Sequence, residues 1–159
     1  MLNDEIATHC NQPYDCLIFV NPDHQILEGV ASELQRDGLG CLNIGKELSA
    51  ALRPVSVKER SSFSQKWLLE SLRRFSNGPV ICTNIDLLFD PNLELDPLTL
   101  FRQAARYMRM IVLWPGEISG KSLFYAIPEH HHFRSWEISN ALLLQPHVLI
   151  QPITFTQGV

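Results

Sequence analysis

Short apolar runs alternate with amphipathic stretches from residue 16 to residue 114. CLIFV (16–20) is a continuous apolar run bounded by polar residues, the pattern of a strand buried on both faces. After Asn21-Pro22-Asp23-His24, the positions Ile26, Val30 and Leu34, with Leu27 and Ala31 beside them, form one stripe of a helix. Asp37-Gly38 ends it, because glycine takes the left-handed closing conformation at little cost. CLNIG (41–45) reads as a second strand, and a helix over about 46–52 stops before Pro54. Ser62 followed by Gln65 has the spacing of a capping box, with Phe63, Trp67, Leu68, Leu72 and Phe75 as the helical stripe behind it. Asn77-Gly78-Pro79 breaks that helix and leads into VICT (80–83), a third strand. Asp96-Pro97 starts a helix packed through Phe101, Ala104, Ala105 and Met108. MIVLW (110–114) is the fourth strand, with Pro115-Gly116 predicted to stop it.

From 119 onward the pattern becomes extended, with LFYAI and VLIQPITF on either side of a His-rich loop at 129–133. Strand–helix alternation without a hairpin signal before residue 114 predicts an α/β fold with a mainly parallel sheet covered by helices. One domain is expected over 1–159, with 1–14 as an irregular N-terminal segment and 119–159 as extended C-terminal segments. Sheets of this kind bind ligands beyond the carboxyl ends of their strands, which directs attention to loops 21–25, 84–96 and 115–121.

Composition narrows the classes. The chain has 159 residues, 45% hydrophobic and 19% charged, as in an ordinary globular domain and unlike a disordered or fibrous one. No apolar run approaches the roughly 20 residues that span a bilayer, and MLNDEIATHC lacks a basic-then-apolar leader, so a cytoplasmic protein with no membrane association is expected. The four cysteines, Cys10, Cys16, Cys41 and Cys82, form no CxxC pair; Cys16 and Cys82 fall inside apolar strands and read as small core residues. The net charge of −4 is unevenly spread: seven acids and one base over 1–45, but seven bases and three acids over 46–78. The basic stretch reads as a solvated helical face and only weakly as a nucleic-acid footprint.

Candidate chemistry is sparse. Gly116-Glu-Ile-Ser-Gly120-Lys121-Ser122 has three residues between its first glycine and the Gly-Lys pair where a phosphate loop has four, and the chain after Lys121 reads as extended; a hairpin or connecting turn is expected. The place for a phosphate loop in such a fold is directly after the first strand, where the chain has Asn21, Pro22, Asp23, His24, Gln25, Ile26, Leu27 and Glu28. Leu27 cannot neutralise phosphate charge, and Asp23 opposes it. The third strand, where a magnesium-binding acid would sit, ends in Thr83, with Asp86 three residues further on. Three consecutive histidines, His130, His131 and His132, lack the spaced Cys or carboxylate partners of a tetrahedral metal set and read as a polar turn. No GxSxG elbow supports a serine nucleophile. In and directly after the segment 84–97, Leu93, Leu95 and Leu98 are expected to fold back on the domain, any exposed part serving as an apolar docking surface.

The run TNIDLLFDPNLELDPLTLFRQAARYMRMIVLWPGE (83–117) resembles the core of BrxF, a family of small P-loop proteins of type-three BREX phage-defence systems. The strand–loop–helix at 16–36 and NIGKELS (43–49) resemble the same layout, and 125–134 does so more loosely. The resemblance implies a three-layer αβα P-loop NTPase-like domain and a place among the protein subunits of a defence complex. Family members carry a Gly-rich Lys-Thr/Ser loop for ATP; here Ile26, Leu27 and Glu28 stand at its end and Thr83 stands for the magnesium acid. The expectation is a subunit with degenerate nucleotide motifs, no catalytic residues, no metal and no cofactor, and an assembly or regulatory role, with a homo-oligomer as a further partnership. Arg102, Arg106 and Arg109 are the candidates for partner binding. Two alternatives stand beside it: a divergent protein binding ATP and magnesium through Lys121 or a partner's arginine, and a nucleic-acid accessory factor using 46–78.

Overall fold

The computed structural model describes residues 16–75, 78–126, 132–137 and 148–152, the last of these by backbone alone. Strand β1 (Cys16–Asn21) is buried along its whole length and runs parallel to two neighbours. Helix α1 (His24–Arg36) follows, then β2 (Gly40–Asn43), α2 (Ile44–Leu52) and α3 (Arg60–Arg73). Strand β3 (Val80–Thr83), α4 (Pro97–Ala104) and β4 (Met110–Ser119) complete the central unit, and β5 (Ser122–Tyr125), β6 (Arg134–Glu137) and β7 (Val148–Pro152) come last. The parallel order is β2-β3-β4-β1-β7, with β5 added antiparallel to the far half of β4 and β6 antiparallel to β5. The protein is therefore an α/β domain with a mostly parallel, open sheet.

Alternation along the strands divides the core. Leu17, Phe19, Ile81, Ile111 and Leu113 face α1 and meet Leu27, Val30, Ala31 and Leu34. Cys16, Ile18, Val20, Val80, Cys82, Met110, Val112 and Trp114 face the other way, toward Leu48, Leu68, Leu72 and Phe101 of the remaining helices. Both sides being dry explains why the strands read as continuous apolar runs. Cys16 and Cys82 are buried, as the pattern predicts, and burial pushes the Cys82 thiol well above the ordinary range.

Local signals set most boundaries. Asp23 caps α1 by accepting from the Gln25 amide at 2.9 Å, and Gly38 closes it with φ 93° while its amide donates to Gln35. Asp96 caps α4 through the Thr99 amide, with Pro97 in the first helical position. Other boundaries move. The second strand ends at Asn43, whose side chain caps α2 through the Lys46 amide, so Ile44 and Gly45 belong to the helix and not to a strand over 41–45. The Ser62–Gln65 box is not a helix start. A 3-10 turn at Val57–Glu59 runs straight into α3, and the Ser62 hydroxyl donates back to the Glu59 carbonyl inside the helix.

The largest correction concerns Pro115-Gly116, which does not end β4. Pro115 pairs with Asn21, the last residue of β1, so the ladder loses little from its missing N–H. The strand then changes partner and continues against β5, with Gly116 opposite Tyr125. A Cβ on Gly116 would lie 1.8 Å from the Phe124 carbonyl oxygen; only glycine admits that approach. Gly120-Lys121 forms the hairpin tip between Ser119 and Ser122, with Gly120 at φ 58°, so 116–122 is a hairpin as expected and not a phosphate loop. Segment 84–97 folds back through two 3-10 turns, Ile85–Phe89 and Pro91–Leu93, and buries Ile85, Leu88, Phe89, Leu93 and Leu95, with Leu98 of the following helix beside them, so it supplies core.

Candidate functional site

A cleft of about 680 Å³ opens at the carboxyl ends of β2, β3 and β4, between α1 on one side of the sheet and α2 on the other. That is where a parallel sheet presents its strand ends to a ligand. Its floor is apolar, from Leu27, Ala31, Ile85 and Leu113; its rim is polar, from His24, Glu28, Asn43, Lys46, Glu47, Asn84 and Asp86.

The residues at the phosphate-loop position do not make a loop. Only Pro22 and Asp23 separate β1 from α1, so His24, Gln25, Ile26, Leu27 and Glu28 form the first turns of a helix. Asn21 is buried and accepts the Asp23 amide at 2.8 Å, tightening the turn. Asp23 holds the Gln25 amide, so a carboxylate occupies the end of α1 at which a phosphate would be cradled. Leu27 is buried against the sheet. Thr83 does end β3, with its hydroxyl 3.8 Å from the Cys41 sulfur. Burial raises the Cys41 thiol above its ordinary range despite the bond to Thr83, with Glu47 adding to the rise, so this cysteine is no ready thiolate.

Asp86 does face the cleft, held on two sides. The Tyr125 hydroxyl donates to its Oδ1 at 2.8 Å, and His24 Nε2 lies 3.3 Å from the same oxygen. Burial is the main cause that pushes the Tyr125 phenol far above its usual range, and Asp86 reinforces it. Three elements thus meet at one carboxylate: the start of α1, the turn after β3 and the end of β5. Beside it Asn84 adopts the left-handed conformation (φ 55°, ψ 50°), donates to Asn43 Oδ1 at 3.2 Å, and accepts the Gly45 amide at 2.9 Å. A Cβ on Gly45 would come within 2.7–2.9 Å of Asn84, so glycine is required there too.

The remaining sequence candidates do not join this site. Arg102, Arg106 and Arg109 lie on α4 and the turn after it, leading into the start of β4, and the Arg109 carbonyl receives the Val80 amide at the opposite end of β3 from the cleft. Lys121 sits at the hairpin tip and does not line the cleft. His130 and His131 lie outside the described residues; His132 is described, and among the described residues no group of three or more His, Cys, Asp or Glu could hold a metal ion. Sequence reasoning named His24 in the stretch after the first strand but did not assign Tyr125, Lys46, Asn43 or Asn84 to the site. Tyr125 was within reach, because a hairpin turning at Gly120-Lys121 returns it opposite Gly116.

The fold and site together define an open α/β domain whose strand-end cleft is built around an engaged aspartate. No protein-family model, curated protein or solved structure matches this chain. No helix among the described residues is long and apolar enough to cross a membrane.

Proposed function

We propose that this protein is a non-catalytic, P-loop-like subunit with an assembly or regulatory role in a BREX-type phage-defence complex. The observation that carries the reading is the junction of β1 and α1. The sheet order and the cleft suit a P-loop-like domain, yet the chain passes into α1 through two residues, too few to encircle a phosphate. The helix end is capped by Asp23, and Leu27 replaces a cation with a buried apolar side chain. Thr83 at the end of β3 offers magnesium no carboxylate, and Asp86 is already engaged by Tyr125 and His24. The resemblance of 83–117 supports the defence-system setting.

A thermal-shift titration with Mg-ATP, Mg-ADP and Mg-GTP tests this directly, since a ligand that binds only the folded state raises the melting temperature. No shift is expected with any of the three. A saturable rise of several degrees with Mg-ATP, removed by Leu27→Glu, would overturn the reading.

A further inference from the structure

Segment 84–97 joins the cleft to α4. Asn84, Ile85 and Asp86 at its start line the cleft, and Asp96 near its end caps α4 by accepting the Thr99 amide at 3.2 Å. Between them the chain belongs to no strand and makes two 3-10 turns, with Glu94 left-handed at φ 51°. Short 3-10 turns have poorer hydrogen-bond geometry than an α-helix, so the side chains packed against them matter more for where they lie. The β5–β6 ribbon grips the segment at both ends. At the cleft end the Tyr125 hydroxyl donates to Asp86 Oδ1 at 2.8 Å. At the α4 end Arg134 donates to the Leu95 carbonyl at 2.7 Å, and the Trp136 indole donates at 3.2 Å to the same Asp96 oxygen that caps α4. In the middle the Phe89 ring stacks on Tyr125 at 3.7 Å and meets Trp136 edge-on at 5.8 Å. Tyr125 and Arg134 are paired directly across the ribbon, and the Arg134 guanidinium lies 4.9 Å from the Trp136 ring centre. The two grips therefore share a ladder on one side and the Phe89 ring on the other.

We propose that the β5–β6 ribbon is a strap that couples the cleft to the start of α4, so that loosening its hold at Asp86 also loosens the cap at Asp96, and the reverse. The coupling runs through contiguous contacts: Asp86 to Tyr125, Tyr125 to Phe89 and Arg134, and these to Trp136 and Asp96. Each end biases the same equilibrium between a seated and a lifted ribbon, which makes the effect reciprocal. A group bound in the cleft that takes the Asp86 carboxylate from Tyr125 is thereby felt at the first turn of α4. The strap goes beyond the functional reading above and is independent of it, because the contacts that make it do not depend on what the cleft holds.

Amide hydrogen exchange followed by NMR on the full chain tests the strap through two reporters. The Thr99 amide reads the cap of α4, and the Gly45 amide, which donates to the Asn84 carbonyl at 2.9 Å, reads the cleft end. Tyr125→Phe removes the bond at Asp86 and is expected to speed exchange at Thr99 by about fivefold or more. Trp136→Phe removes the bond at Asp96 and is expected to speed exchange at Gly45 by about the same factor. The Gly38 amide, which donates to Gln35 at the far end of α1, is the control and should keep its parent rate in both variants. A Thr99 rate unchanged in Tyr125→Phe, or a Gly45 rate unchanged in Trp136→Phe, would overturn the proposal. Equal acceleration at Gly38 would overturn it as well, because it marks a general loss of stability in place of a coupling. Should Trp136→Phe fail to fold, Arg134→Gln removes the Leu95 bond from a half-buried side chain and carries the same expectation at Gly45.

Discussion

Tyr125 ties the hairpin to the cleft by donating to Asp86, and its chemistry sets a pH response. The phenol is raised above its ordinary value of about 10 by burial and by Asp86, so its neutral form is favoured in the folded state. A raised folded value means that the stabilisation is complete below the unfolded value and is lost as pH climbs through the folded one. Stability measured by urea unfolding is therefore expected to fall from about pH 10 upward. In Tyr125→Phe that alkaline fall should become shallower, although Cys82 and Cys41, raised in the same direction, keep part of it. At neutral pH the same variant should lose about 1–2 kcal/mol, because Asp86 gives up its 2.8 Å donor. An unchanged urea midpoint would show that water replaces the phenol without loss.

The elements depend on a few positions where backbone or hydroxyl geometry leaves little choice. Gly116→Ala places a methyl group where the Phe124 carbonyl lies, so the β4–β5 ladder must open. A loss of about 3 kcal/mol or more is expected, with the near-UV dichroism of the hairpin aromatics reduced. A variant as stable as the parent would mean that β5 pairs with β4 more loosely than described. Ser64 on α3 gives the opposite case. Its hydroxyl is buried, and among the described residues it has no partner. Ser64→Ala should stabilise by about 1 kcal/mol in chemical denaturation, and destabilisation would reveal a partner for the hydroxyl. The strands and α1 were legible because both of their determinants, apolar runs and Asp or Gly punctuation, are local. The start of α3 was not, since Ser62–Gln65 has capping spacing but a preceding 3-10 turn already carries the chain into the helix. The continuation of β4 was hidden for a related reason: Pro115-Gly116 is a stop signal locally, and its tolerance depends on where β1 ends and how closely Phe124 approaches.

Across the whole molecule, two cores share one sheet. Leu34 lies on the α1 side and Leu72 on the other, both fully buried. Truncation of either to alanine should cost about 2–5 kcal/mol. Because β1, β3 and β4 contribute side chains to both faces, the two variants should shift one common unfolding transition, followed by fluorescence and far-UV dichroism together. Two resolved transitions would show that the faces melt separately. At this scale the parallel sheet followed from strand–helix alternation, and the position of the cleft followed from the sheet. Its lining was only partly legible: His24, Leu27, Glu28, Thr83 and Asp86 could be named from their places after strands, but the meeting of His24, Asp86 and Tyr125 spans three distant segments.

The same packing gives the protein its own optical label. Phe89 stacks on Tyr125 with ring centres 3.7 Å apart, Trp114 meets Phe89 edge-on at 4.9 Å, and Trp136 on β6 lies 5.3 Å from Trp114. Rings this close and nearly perpendicular couple their electronic transitions, so the folded chain should carry a tryptophan exciton signal without any attached dye. Whatever lifts the β5–β6 ribbon from the turn after β3 would then extinguish that signal, and a stopped-flow spectrometer could time the event in the unmodified protein.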